Sequence, residues 1–299
     1  RQSMYFGAEI VPLQDGVNTD SYKETYSRLD YATIIRRYQN EEEAEDTLFH
    51  GFFSTEIATR RNQKKYEDFV ESRSRFLGDK IGYEYISSPY SISDGKMVSS
   101  KSHLIEDILK ILSENGPHLI ILEAAAGFGK TCTAYELLNE INKQHTNKCT
   151  FFTELTRNRQ AKIFKYVLLA EMDSEFPSIV KTELVTHHIT TGRIPLIIDG
   201  FDELLSRDSI KDEVQQDKFQ QVETMLTTIG ELLQNNYKII LTSRKTAIFT
   251  GEEFHNWVSS FNTRFNVVRF IIEEPRLKDW LEDEKIKVIR TKLTEITNE

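Results

Sequence analysis

The sequence predicts an α/β fold, a parallel β-sheet flanked by helices and preceded by a smaller, mostly helical N-terminal region. Three observations predict it. The short apolar runs at 118–122, 195–199 and 238–242 have the length and continuity of buried strands, and 266–272 reads as a last strand. Segments with apolar residues at three- and four-residue spacing lie between them. Strand and helix thus alternate from 103 to 272, the order a parallel sheet covered on both faces requires.

Residues 1–95 are rich in Tyr, Phe and charge, with an acidic cluster at 41–46 and a basic run at 60–65. Tyr22, Tyr26, Leu29, Ile34 and Ile35 predict a helix over about 20–38, and Tyr66, Phe69, Val70 and Phe76 predict another over 57–76. Residues 82–86 read as a short strand closed by the Ser87-Ser88-Pro89 turn, and 91–102 as a linker. Leu104, Ile105, Ile108, Leu109, Ile111 and Leu112 then form one helical face that stops at Asn115-Gly116-Pro117. After the strand at 118–122 come a glycine loop, a helix over 130–143 and a strand over 149–155. Helices are expected at 162–171, 178–190 and 213–234, the last from Phe219, Val222, Leu226, Ile229 and Leu233. Beyond Pro275, Leu277, Trp280, Leu281, Val288, Ile289 and Leu293 mark one or two further helices. The expected organisation is an N-terminal effector or adapter region over 1–95, a nucleotide-binding domain over 96–275 and the start of a helical subdomain over 276–299. A chain that opens at Arg1 and ends in an expected helix reads as part of a longer protein.

Composition narrows the function classes. The 299 residues are 39% hydrophobic, enough for a proper core, and carry a net charge of −9. That acidic balance argues against a nucleic-acid partner. No apolar stretch approaches the roughly 18 residues of a membrane span and no signal-peptide pattern is present, so no membrane partner and a cytoplasmic location are expected. Cys132 and Cys149 are too few for a disulfide framework and lack metal-ligand spacing.

The chemistry is carried by three strand ends. The string Glu123-Ala124-Ala125-Ala126-Gly127-Phe128-Gly129-Lys130-Thr131-Cys132 follows an apolar strand and opens a helix. A phosphate loop works because successive backbone N–H groups wrap a phosphate at the positive end of a helix. Gly127 and Gly129 stand where left-handed backbone or close approach is needed, Lys130 would neutralise the β- and γ-phosphates, and the Thr131 hydroxyl would take one Mg²⁺ position. Ala124 occupies the usual first-glycine position, a strand-to-loop turn that needs smallness more than a positive φ. The second strand end is Asp199-Gly200-Phe201-Asp202-Glu203, with Asp199 directed at Mg²⁺ and Asp202 and Glu203 able to hold the ion and orient the attacking water. The third is Leu241-Thr242-Ser243-Arg244, where Arg244 would read the γ-phosphate or stabilise transition-state charge.

Taken in this order, Ala126 to Thr131, Asp199 to Glu203 and Thr242 to Arg244 resemble a NACHT domain, a branch of the STAND P-loop NTPases that includes animal inflammasome sensors and bacterial antiphage proteins. The resemblance spans about 100–275 and implies a P-loop NTPase with ATP or ADP and Mg²⁺ as cofactors. It implies a phosphate loop at Ala124 to Thr131 with Cys132 beside it, Mg²⁺ at Thr131 and Asp199, and catalytic residues at Asp199, Asp202, Glu203 and Arg244, the last also the first sensor. It further implies self-association on activation, slow hydrolysis that resets the state, and a trigger sensed by a C-terminal region that the sequence does not contain, as it also lacks the family's winged-helix histidine. Antiphage defence or innate immunity is the implied setting.

Two other classes stay open. A conventional AAA+ or restriction-type motor would turn over continuously, but the sequence shows no basic stripe and no evident arginine finger between Asp202 and Lys238. A scaffold would hold ADP permanently. The remaining features read blandly: Cys132 as packing, His118, His187 and His188 as structural, and the 60–65 run as a solvated helix face. His50 with Asp46 and Glu56 is a weak nuclease set, because no Asp…Glu-x-Lys string supports it.

Overall fold

The computed structural model describes residues 7–10, 18–28, 32–35, 37–44, 55–75, 83–92, 97–98, 103–144, 150–155, 163–175, 182–204, 218–245, 247–262, 264–274, 286–288, 290–291 and 294. They fall in two compact units, Arg1–Phe52 and Phe53–Glu299.

In the first unit, strand β1 (Gly7–Ile10) pairs in parallel with β2 (Ala32–Ile35), Gly7 opposite Ala32, and helix α1 (Asp20–Arg28) lies between them in sequence. A parallel pair needs such a crossover. The helix expected to reach residue 38 stops at Arg28, and Ile34 and Ile35 belong to β2. Their branched Cβ atoms are stiff in a helix and fit a pleated sheet.

The second unit begins with α2 (Thr55–Ser74), so the division falls inside the expected N-terminal region 1–95. This helix is held by residues further along the same unit. Phe69 stacks on Tyr135 with ring centroids 4.1 Å apart, the Tyr66 hydroxyl donates to Glu136 at 2.7 Å, and Asn62 Nδ2 donates to the Thr150 carbonyl at 3.0 Å.

After α2, residues 83–89 carry no strand; the expected strand at 82–86 is displaced to β3 (Tyr90–Ile92). With β4 (Met97–Val98), β3 forms the antiparallel edge of the sheet, and all but Tyr90 of the two strands falls in the stretch expected to be a linker. Tertiary pairing decides this. Tyr90 is opposite Ile272, the Glu273 N–H donates to the Pro89 carbonyl at 2.8 Å, and Tyr90 is fully buried.

The remaining elements are α3 (Leu104–Leu112), β5 (His118–Ala124), α4 (Lys130–Gln144), β6 (Phe151–Glu154), α5 (Phe164–Glu175), α6 (Thr182–Thr190), β7 (Leu196–Asp199), α7 (Lys218–Gly230), β8 (Lys238–Arg244), α8 (Glu252–Ser259) and β9 (Asn266–Ile272). The sheet has seven strands in the order β4-β3-β9-β5-β8-β7-β6, with β9 through β6 parallel. Strands β5, β7 and β8 are buried along almost their whole length, as continuous apolar runs require.

Side chains alternate across the sheet. Ile120, Leu122, Ile197, Ile240 and Phe270 face α2, α3 and α4 through Phe69, Ile108, Leu137 and Leu138 in one apolar cluster. The alternate positions Leu119, Ile121, Ile239 and Leu241 are also fully buried, so both faces are covered. Phe201, Phe249, Phe254, Trp257 and Phe265 are buried in a chain of ring contacts that runs through α8, a helix with no counterpart among the sequence expectations. Most of the helices expected beyond Pro275 lie outside the described residues.

Candidate functional site

The parallel strands end on one edge of the sheet, and that edge collects the polar residues. Strand β5 runs through Ala124, which pairs with Arg244 on β8 and Ile272 on β9 and has no exposed surface. Ala124 is thus extended strand rather than a turn residue. Its carbonyl accepts the Lys245 N–H at 2.9 Å and the Lys130 Nζ at 3.4 Å. The chain then turns at Ala125, whose carbonyl accepts the Phe128 N–H at 3.3 Å, and α4 starts at Lys130. Gly127 and Gly129 have φ of +85° and +83°, and a Cβ placed on either would touch nothing within 4 Å. Backbone conformation, rather than space, requires glycine at both.

Asp199 closes β7 and is 7% exposed. Thr131 Oγ1 donates to its Oδ2 at 2.9 Å, and Thr242 Oγ1 donates to its Oδ1. The Gly200 N–H donates to Thr242 Oγ1 at 3.0 Å, which ties β7 to β8 directly below the site. Gly200 takes φ +80°, and the following 3-10 turn Phe201–Leu204 places Asp202 and Glu203 beside the end of β8. There Arg244 Nε lies 2.7 Å from Asp202 Oδ2 and its Nη2 3.8 Å from Glu203 Oε1.

The electrostatics fit a site that receives both an anion and a divalent cation. Burial pushes the Asp199 carboxyl above the ordinary aspartate value, against the Thr242 and Thr131 hydrogen bonds that favour its charged form. Burial holds the Lys130 ammonium below the usual lysine value, with Asp202 the largest opposing influence. A raised carboxyl pKa favours folding when protonated, so ionised Asp199 opposes folding at neutral pH. Asp199→Asn is expected to raise the melting temperature at pH 7. That gain should fade as pH falls through the raised folded pKa toward 3.8, the unfolded value. A melt series across pH checks the sign, and a variant less stable than wild type at pH 7 counts against it.

The structure therefore brings together Lys130, Thr131, Asp199, Asp202, Glu203 and Arg244, the set the sequence nominated. Hard oxygen donors on Thr131 and Asp199, 2.9 Å apart, suit Mg²⁺ with most of its waters retained. Two contributors were not foreseen. Thr242 is the hydroxyl that fixes Asp199, and only its place in Thr242-Ser243-Arg244 hinted at a role. A cavity of about 270 Å³ lies between residues 83–88 and the loop Gly127 to Gly129. Tyr83, Tyr85, Cys132 and Thr133 line it, and the Tyr85 hydroxyl is 3.1 Å from Thr133 Oγ1. Burial pushes the Tyr85 hydroxyl up to about 12 and raises the Cys132 thiol, so neither ionises at neutral pH.

The bland readings find structural places. His118 is 1% exposed against Lys238, and His188 is 1% exposed with its pKa pulled down to about 4 by burial. His50 and Asp46 lie outside the described residues, and Glu56 is on α2.

Comparison with protein families adds the decisive observation. Residues 118–262, the segment that holds the phosphate loop, Asp199 to Glu203 and Arg244, match the family model for the NACHT domain. The chain carries a NACHT domain. It is accordingly a nucleotide-binding P-loop NTPase of α/β fold. Residues 1–93 match a second family, described as NACHT-associated inactive Restriction Endonuclease 2. Among curated proteins none matches the chain closely enough to count as a relative. No described helix of this NACHT protein is long and apolar enough to cross a membrane.

Proposed function

We propose that this NACHT protein is a nucleotide-operated switch in which binding of Mg·ATP favours self-association and slow hydrolysis to ADP resets the state. The single observation that carries the reading is the joining of three strand ends at one point. Thr131 and Thr242 hold Asp199 while Asp202, Glu203 and Arg244 crowd the same edge. Thr131 and Asp199 would hold Mg²⁺, whose chemistry there would be to offset phosphate charge.

The residues divide the work. Gly127 and Gly129 open the backbone N–H groups of the loop toward a phosphate, and Lys130 supplies the neutralising ammonium. Thr131 would offer the ion a hydroxyl and Asp199 a carboxylate. Glu203, 27% exposed at its side chain, would accept a proton from an attacking water. The cavity beside residues 83–88 fits a nucleotide base, its aromatic wall giving the stacking surface.

The N-terminal region would act as an adapter instead of a nuclease. Its family is described as inactive, and the sequence has no Asp…Glu-x-Lys string to perform hydrolysis. A defence setting, bacterial or animal, and a cytoplasmic location are part of the same proposal. The boundaries at about 95 and 275 are retained for the functional regions, whichever way the compact units divide.

Mass measurement by light scattering separates the switch from its rivals. Larger assemblies in Mg·ATP than in Mg·ADP are the expected result. Equal masses in both nucleotides, with rapid steady-state turnover, would favour a motor.

A further inference from the structure

Asp202 does not stand free beside the nucleotide site. Its side chain is only 8% exposed, and Arg244 engages both of its oxygens. The guanidinium Nε meets Oδ2 at 2.7 Å, and the arginine's own backbone N–H donates to Oδ1 at 3.1 Å. Arg244 is differently placed. Its side chain is half exposed, so the guanidinium that is tied to Asp202 on one edge faces solvent on the other. Lys130 at the head of the phosphate loop feels both charges, which puts the pair within electrostatic reach of a bound phosphate. Glu203 is 3.8 Å from the guanidinium and makes a looser contact.

A carboxylate and a γ-phosphate present the same planar guanidinium with alternative partners. Two anions on one arginine compete unless the site is rebuilt around both. Asp202 already holds the arginine with good geometry, and a buried carboxylate stripped of its cation is costly.

Resting on the nucleotide-site reading above, we propose that Asp202 is a latch on Arg244, which a γ-phosphate must release. Asp202 thereby lowers the affinity for ATP without touching ADP, and it sets how strongly the site distinguishes the two. The exchange also gives Asp202 and Glu203 separate tasks, the first holding the sensor arginine and the second facing the water. Asp202 acts through Arg244 and is a positioning residue.

Equilibrium titration of the full chain with ATP and with ADP, in Mg²⁺, tests the latch through affinities and not turnover. Asp202→Asn keeps an acceptor for the Arg244 N–H and removes the competing charge. It is expected to tighten ATP about tenfold, the size of one charge-assisted hydrogen bond, and to leave ADP within about twofold. Arg244→Gln, which removes latch and sensor together, is expected to bring ATP and ADP to nearly equal affinity and to make a further Asp202→Asn change silent. Weaker ATP binding in Asp202→Asn, or an Arg244→Gln protein that keeps the wild-type ratio, overturns the latch while the nucleotide site stands. A wild-type chain that binds neither nucleotide overturns the site reading itself and the latch with it.

Discussion

Lys130→Ala is expected to weaken ATP binding on the order of 100-fold, with no comparable loss of stability. The lysine heads α4, and among the described residues its ammonium has a hydrogen bond to the Ala124 carbonyl, at 3.4 Å, and none to a carboxylate. Burial already holds its pKa below the ordinary value, so the charge is maintained at a cost. An opposing phosphate about 4 Å away attracts the ammonium by about 4 kcal/mol at an effective dielectric near 20, and desolvation of the two charges offsets part of it, leaving about 2.8 kcal/mol for a 100-fold change. Truncation removes this term and also relieves the desolvation of an otherwise poorly satisfied cation. Calorimetric titration alongside a thermal melt checks both halves. An affinity loss below tenfold, or a melting temperature that falls sharply, would place Lys130 in the fold and not in the site.

The largest effect on stability is expected from Arg269→Ala. Glu123, one residue before the phosphate loop sequence opens at Ala124, is fully buried and bound by Arg269, with Nε at 3.1 Å from Oε2. Its other oxygen, Oε1, and the neighbouring Ser243 Oγ are buried without hydrogen-bond partners among the described residues. The pair crosses from β5 to β9 on the face opposite Ala124 and Thr242. Removing the arginine leaves an uncompensated carboxylate, a loss of about 3–5 kcal/mol. Arg269→Met with Glu123→Gln should recover most of that, because no buried charge remains. Denaturant midpoints for the single and double variants measure it, and additive losses in the double variant would rule out the pair as the cause.

Much of the architecture was legible because its central strands are buried on both faces. Strands β5, β7 and β8 carry unbroken apolar runs that no helix periodicity imitates, and β9 is apolar except for Asn266 and Arg269. The motif residues were legible for a related reason, since each follows directly from one of those runs. What escaped is held by partners distant in sequence. Strands β3 and β4 contain Tyr90-Ser91-Ile92 and Met97-Val98, too short to read alone, and exist through pairing with β9. Residues 82–86 read as a short strand, yet the Tyr83 and Tyr85 rings line the cavity beside the loop. Ile34 and Ile35 were drawn into a helix by spacing, although their branching already favoured β2.

The site shows the same division. Lys130, Thr131 and Asp199 announce themselves by position at a strand end or helix start. The engagement of Asp202 by Arg244 does not, because 42 residues separate them and only the side-by-side exit of β7 and β8 makes them neighbours. Ala124 is the converse case. Its departure from glycine drew the eye in the sequence, but the strand simply continues through it, paired on both sides.

The central claim is that Lys130, Thr131 and Asp199 form one Mg²⁺-dependent nucleotide site. Calorimetric titration of ATP into the full chain, in Mg²⁺ and in excess chelator, tests it most directly when wild type is compared with Asp199→Asn. The account predicts that Mg²⁺ tightens ATP binding to the wild type and has little effect on the variant. Equal dependence on Mg²⁺ in the two proteins, or none in either, would contradict it.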